Sequence, residues 1–101
     1  MNKKESKHLD LLRRENDSLL SYLKAKFPMF HNSNFFFRDL QYGIRSFLER
    51  KDIIISYTEA DGLAHTIAND LETKGFFIKV NSHGWKVNHP EFATTEPGDP
   101  F

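Results

Sequence analysis

A chain of 101 residues has the length of one domain, and 39% hydrophobic with 14% aromatic residues supports a modest core. Formal net charge is zero and cysteine is absent, which excludes disulfides, thiolate metal centres and cysteine nucleophiles, and fits a reducing, cytoplasmic setting. No wholly apolar run exceeds three residues, so neither a membrane span nor a signal peptide is expected.

The first predicted helix covers about residues 5–27. Leu9, Leu12, Leu19 and Leu23 fall at a and d spacing, with Asn16 at the a position between them. The stripe fits a helix packed on its own domain. It also fits a short coiled-coil dimer in which Asn16 sets the register. Pro28 ends this helix by forcing its neighbour out of the α region.

Residues 28–34 are rich in turn formers, and Asn32, Ser33 or Asn34 can cap a second helix over about 35–50. Its apolar stripe is Phe36, Leu40, Ile44, Phe47 and Leu48. Phe35, Phe36 and Phe37 are consecutive, and successive helical side chains lie about 100° apart. One stripe cannot hold all three rings. One of them must meet another element or stand outside as an anchor for a partner. The β-branched run Ile53, Ile54, Ile55 suits a short strand or an extended connection.

Ser56 and Glu59 form an S-x-x-E capping box for a third helix. Ala60, Leu63, Ala64, Ile67, Ala68 and Leu71 follow at the period of a one-faced amphipathic helix. Gly75 is placed as its left-handed stop. A β-hairpin comes next, with strands at 76–80 and 85–88 around Asn81, Ser82, His83 and Gly84. Alternation puts Phe76, Ile78 and Val80 on one face, joined by Trp85 and Val87, with Lys79 and Lys86 pointing out. Residues 90–101 carry three acids and no base among prolines, and read as a flexible tail. The predicted core is Leu12, Leu19, Leu23, Phe36, Leu40, Ile44, Phe47, Leu63, Ile67, Leu71, Phe76, Ile78, Trp85 and Val87.

Charge is unevenly spread. Residues 1–26 hold seven Lys/Arg against four Asp/Glu, and residues 76–89 hold two bases and no acid. Residues 56–75, the third helix, hold four acids against one base. DNA binding calls for a basic face, and acids on this helix would repel phosphates. The set best suited to nucleic acid is therefore in and beside the hairpin: Lys74, Lys79, Asn81, Ser82, His83 and Lys86. The set best suited to a protein partner or self-association is Leu9, Leu12, Asn16, Leu19, Leu23, Phe35 and Phe37.

Nothing in the chain carries chemistry. His83, His89 and Glu91 are too few ligands for a zinc site without cysteine. No serine or threonine has a base and an orienting acid marked out by the sequence, and no glycine-rich phosphate loop occurs. The expectation is no metal, no cofactor, no small-molecule substrate and no catalysis.

The stretch from Thr58 to Val80, with His83-Gly84-Trp85-Lys86-Val87 after it, resembles the helix-plus-wing half of winged-helix domains. More narrowly, E-A-x-x-L-A followed by L-x-x-x-G-F-F-I-x-V is similar to the C-terminal half of DEP domains, which are protein- and membrane-docking modules. The resemblance covers about residues 58–87 and assigns no functional residue. It implies an α+β, mostly helical, winged-helix-like domain over residues 1–89: three helices, then a C-terminal β-hairpin. The first helix is a possible dimerisation element. The function expected is a small non-enzymatic protein-interaction module, as a dimer or as a subunit of a larger assembly. The alternative is a winged-helix DNA-binding regulator that uses the hairpin and the basic first helix.

Overall fold

The computed structural model describes residues 3–27 and 29–88, with side chains from residue 7 onward. The expected acidic tail at 90–101, and His89 before it, lie outside the described residues. In chain order the elements are α1 (Lys3–Arg14), α2 (Asn16–Lys26), β1 (Asn34–Phe36), α3 (Phe37–Glu49), α4 (Tyr57–Thr73), β2 (Phe77–Asn81) and β3 (Gly84–Val87). The strands form one antiparallel sheet in the order β1-β3-β2. The layout is α+β, mostly helical and winged-helix-like, with helices against one sheet face. Among the described residues no helix is long and apolar enough to cross a membrane.

The first helix is two helices, not one. Glu15 leaves the helical region (φ −105°, ψ 32°), although Glu15 N–H still reaches the Leu11 carbonyl and Leu19 N–H reaches that of Glu15. The break re-aims the leucine stripe: α1 packs on α4 and α2 packs on α3. Lys51 Nζ, in the turn after α3, holds the Glu15 carboxylate at 2.7 Å. Helix α2 stops where Phe27 turns extended (φ −126°, ψ 154°), as expected of a residue preceding proline.

The third strand lies at Asn34–Phe36, before α3, and pairs with β3 through Phe35 opposite Trp85. Ile53–Ile55 forms no strand and runs as an extended connection in which Ile55 is buried and Ile54 exposed. Taking residues 34–36 out of the second helix also settles the phenylalanine triplet. Strand period sends Phe35 into the core at 1% exposure and Phe36 out at 49%. Phe37 opens α3, its N–H donating to the His83 carbonyl at 2.8 Å.

The hairpin is one residue out of the predicted phase. Phe77, opposite Val87, faces the helices, and its ring stacks on Trp85 with centroids 4.8 Å apart. Ile78 and Val80 therefore face solvent, at 50% and 57% exposure. Phe76 is buried too, but it precedes the strand, held by its N–H to the Leu71 carbonyl. Of the predicted core, Phe36 and Ile78 are thus surface residues; the others are buried. Phe35 and Phe77 take their places. One continuous core runs from Leu9 to Val87, and it buries no polar or charged side chain among the described residues.

Candidate functional site

Two predicted sets of site residues meet different fates. In the protein-facing set, Leu9, Leu12, Leu19, Leu23 and Phe35 are all core residues, each at most 7% exposed. Their apolar surface is already covered by α3, α4 and the sheet, which leaves no leucine seam for a coiled coil. Asn16 is half-buried at the start of α2. Phe37 is half-buried as well, its ring 4.4 Å from that of His65 and 6.2 Å from that of Trp85.

In the hairpin set, Lys74, Lys79, Asn81, Ser82, His83 and Lys86 are all exposed. They do not form one ridge. Ile78 opposes Lys86 whereas Lys79 opposes Trp85, and directly opposed residues share a face. Lys79 therefore emerges on the helix side of the sheet and Lys86 on the outer side. Two other members have structural duties. The Asn81 side-chain oxygen accepts the His83 N–H at 2.8 Å and closes the turn, and the His83 carbonyl anchors that turn to the start of α3.

The acids of α4 are largely engaged. The Glu59 carboxylate pairs with His8 Nδ1 of α1. Arg13 donates two hydrogen bonds to Asp70, at 2.8 and 3.1 Å, and these bonds hold the guanidinium above its ordinary range. Glu72 Oε2 accepts the Trp85 indole N–H at 2.7 Å. Asp61 lies 3.6 Å from His65, one turn along the same helix. The exposed stripe of α4 is thus Thr58, Asp61, His65, Asn69 and Thr73, which carries one acid.

The surface that sequence reasoning missed is the outer face of the sheet. Phe36 on β1 and Ile78 and Val80 on β2 flank β3 on that face, with Lys86 between them and the Phe36 ring close over Gly84. The helices pack on the opposite face, so all three side chains stay half exposed or more. A cleft of about 460 Å³ adjoins Phe36, lined also by Phe37, Arg38, Asp39, Gln41 and His83. The period-two placement of Phe35 and Phe36 was the available signal, hidden by reading both as helical. A bulge between Lys79 and Asn81 adds a residue to β2 and sharpens the local twist. Among the described residues no three His, Cys, Asp or Glu side chains gather as a metal-binding group. Compared with protein-family models, with curated proteins and with solved structures, the chain finds no match.

Proposed function

We propose that this chain is a small non-enzymatic interaction module, winged-helix-like in its layout, that docks a protein partner on the outer face of its sheet. The observation that carries this reading is the exposure of Phe36 on one edge strand and of Ile78 and Val80 on the other, on a face that no helix of the described chain covers. Burying a Phe, Ile or Val side chain in full is worth about 1.5–3 kcal/mol, so covering three half-exposed ones supplies roughly 3 kcal/mol. That is millimolar affinity on its own. A useful complex needs further contacts, and β2, an edge strand among the described residues, offers its outer backbone for strand addition.

The test is affinity capture with the wild-type chain and with an Ile78→Glu/Val80→Glu double variant, alongside light scattering for self-association. Both residues lie outside the core, so the variant should keep its helical circular dichroism. A partner or dimer lost by the variant supports the reading. Identical capture and identical mass for the two proteins removes it.

One observation favours a second reading, nucleic-acid binding through α4 and the hairpin. With Glu59, Asp70 and Glu72 tied to His8, Arg13 and Trp85, the exposed stripe of α4 is polar rather than acidic. His65, Asn69 and Thr73 can hydrogen-bond base edges, with Lys74 and Lys79 nearby in sequence to meet phosphates. A mobility-shift titration at low salt decides it, because phosphate contacts are strongest there. Loss of a shift on changing Lys79 and Lys86 to alanine supports the hairpin, and no shift at all excludes this reading.

A further inference from the structure

All three tyrosines of the chain, on α2, α3 and the first residue of α4, have a cation over the ring. Lys26 Nζ stands 5.6 Å from the Tyr22 centroid and 5.4 Å from that of Tyr42. The guanidinium of Arg50 lies 5.5 Å from Tyr22, and that of Arg45 lies 4.0 Å from Tyr57. Lys51 adds a fifth pair, 5.2 Å from Phe47. Four of these five pairs fall on the three tyrosines.

The pairs belong to one continuous surface. Lys26 bridges Tyr22 and Tyr42, and the Tyr22 hydroxyl hydrogen-bonds the Ser46 hydroxyl, tying α2 to α3. Tyr42, Arg45 and Ser46 line one shallow recess of about 60 Å³, and Arg45 carries the surface on to Tyr57. Tyr42 and Tyr57 are 52% and 70% exposed. Arg45 Nε–H is buried and has no acceptor among the described residues.

We propose that this tyrosine–cation face binds single-stranded nucleic acid, independently of the sheet face. The exposed rings of Tyr42 and Tyr57 give flat surfaces on which unpaired bases stack, with Lys26 and Arg45 beside them, and Arg50 beside Tyr22, for the phosphates. A duplex hides its base faces and would use only the charge. An acidic peptide would use the cations and leave the rings idle. The charge itself is modest: Lys51 is paired with Glu15, leaving Lys26, Arg45 and Arg50, with Asp17 and Glu49 at the borders. Stacking therefore dominates, and three phosphate contacts predict a shallow salt dependence, with log K falling with a slope of about −2 in log salt.

The experiment is fluorescence anisotropy of the full chain with a labelled 12-nucleotide oligothymidylate, its duplex with oligodeoxyadenylate, and polyglutamate as competitor. Expected are binding of the single strand at least tenfold over the duplex and a roughly 5- to 150-fold loss for Tyr42→Ala and for Tyr57→Ala, the value of one stacked base each. Tyr57→Phe keeps the ring and retains binding, which separates stacking from any folding defect of the alanine variants. Lys79→Ala/Lys86→Ala leaves the affinity unchanged, since those residues lie on the hairpin. The proposal is overturned by no binding at about 50 mM salt, by equal affinity for the duplex, or by displacement with polyglutamate as efficient as with the oligonucleotide. It is overturned equally by well-folded tyrosine variants that bind as the wild type does.

Discussion

Trp85 carries an indole N–H into the joint between sheet and helices, and Glu72 Oε2 meets it at 2.7 Å. The ring is 5% exposed and stacked on Phe77, so water cannot replace that acceptor. Glu72→Ala should therefore cost about 1–3 kcal/mol, the penalty of a buried donor left alone. In a domain of this size each kcal/mol lowers Tm by roughly 4–8 °C, and a thermal melt reads it. Glu72→Gln keeps an acceptor oxygen and should lose less than half as much. A second residue-scale prediction concerns Gly43 on α3. A Cβ there would stand 2.3 Å from Leu23 Cδ2 and 3.4 Å from Phe27 Cε2. Leu23 is fully buried, so its methyl group must give way within a packed core. Overpacking of about 1–3 kcal/mol outweighs the roughly 1 kcal/mol that alanine gains in helix propensity, so Gly43→Ala should lower the denaturation midpoint despite being the better helix former. Neither contact was legible in the sequence. Glu72 and Trp85 lie thirteen positions apart with no periodic link, and Gly43 matters only because α2 crosses α3 at that point.

Helix α4 was legible nearly in full, because both of its ends are written in local chemistry. Ser56 Oγ accepts the Glu59 N–H at 3.0 Å, and Gly75 sits at φ 80° just past the end. Only half of the capping box forms, since the Glu59 carboxylate turns to His8 instead of back to Ser56. Ser56→Ala should cost about 1 kcal/mol. Gly75→Ala should cost about 1–2 kcal/mol through the left-handed backbone, with open space around the added methyl. Chemical denaturation of the two variants checks both values. The elements that misled were those whose fate depends on partners. The leucine stripe keeps its heptad spacing across Asn16, yet α1 and α2 separate at Glu15, with α1 on α4 and α2 on α3. Phe35–Phe37 could be read as helix because the β3 edge that recruits residues 34–36 lies fifty positions downstream. In the hairpin, Phe76/Ile78 and Phe77/Lys79 offer competing phases of alternation, and the stacking of Phe77 with Phe35 and Trp85 decides between them.

At the scale of the molecule, those three rings join the two layers, since Phe35, Phe77 and Trp85 face the helices from all three strands. Among the described residues the core is one cluster: Leu9 of α1 and Val87 of β3 belong to the same packed set. Helix α1 is its most peripheral part. It contributes Leu9 and Leu12 to that set, and its polar links to α4 are His8–Glu59 and the exposed pair Arg13–Asp70. An exposed ion pair is worth about 0–1 kcal/mol, so the two leucines carry the attachment, roughly 1.5–3 kcal/mol each on full burial. That is large enough to couple α1 to the rest. Unfolding should accordingly be a single transition, with a heat-capacity change of about 1.2–1.5 kcal/mol/K for a chain near 100 residues. Trp85 is the sole tryptophan, so its emission reports the joint between the layers, whereas far-UV circular dichroism reports the helices, α1 included. The two signals should give coincident curves in urea. Leu12→Ala, a fully buried truncation expected to cost about 2–5 kcal/mol, should shift both curves together. If the dichroism curve alone moved, losing its first part while Trp85 stayed native, α1 would be an appendage, and the leucines of the opening stripe would be available to a partner after all.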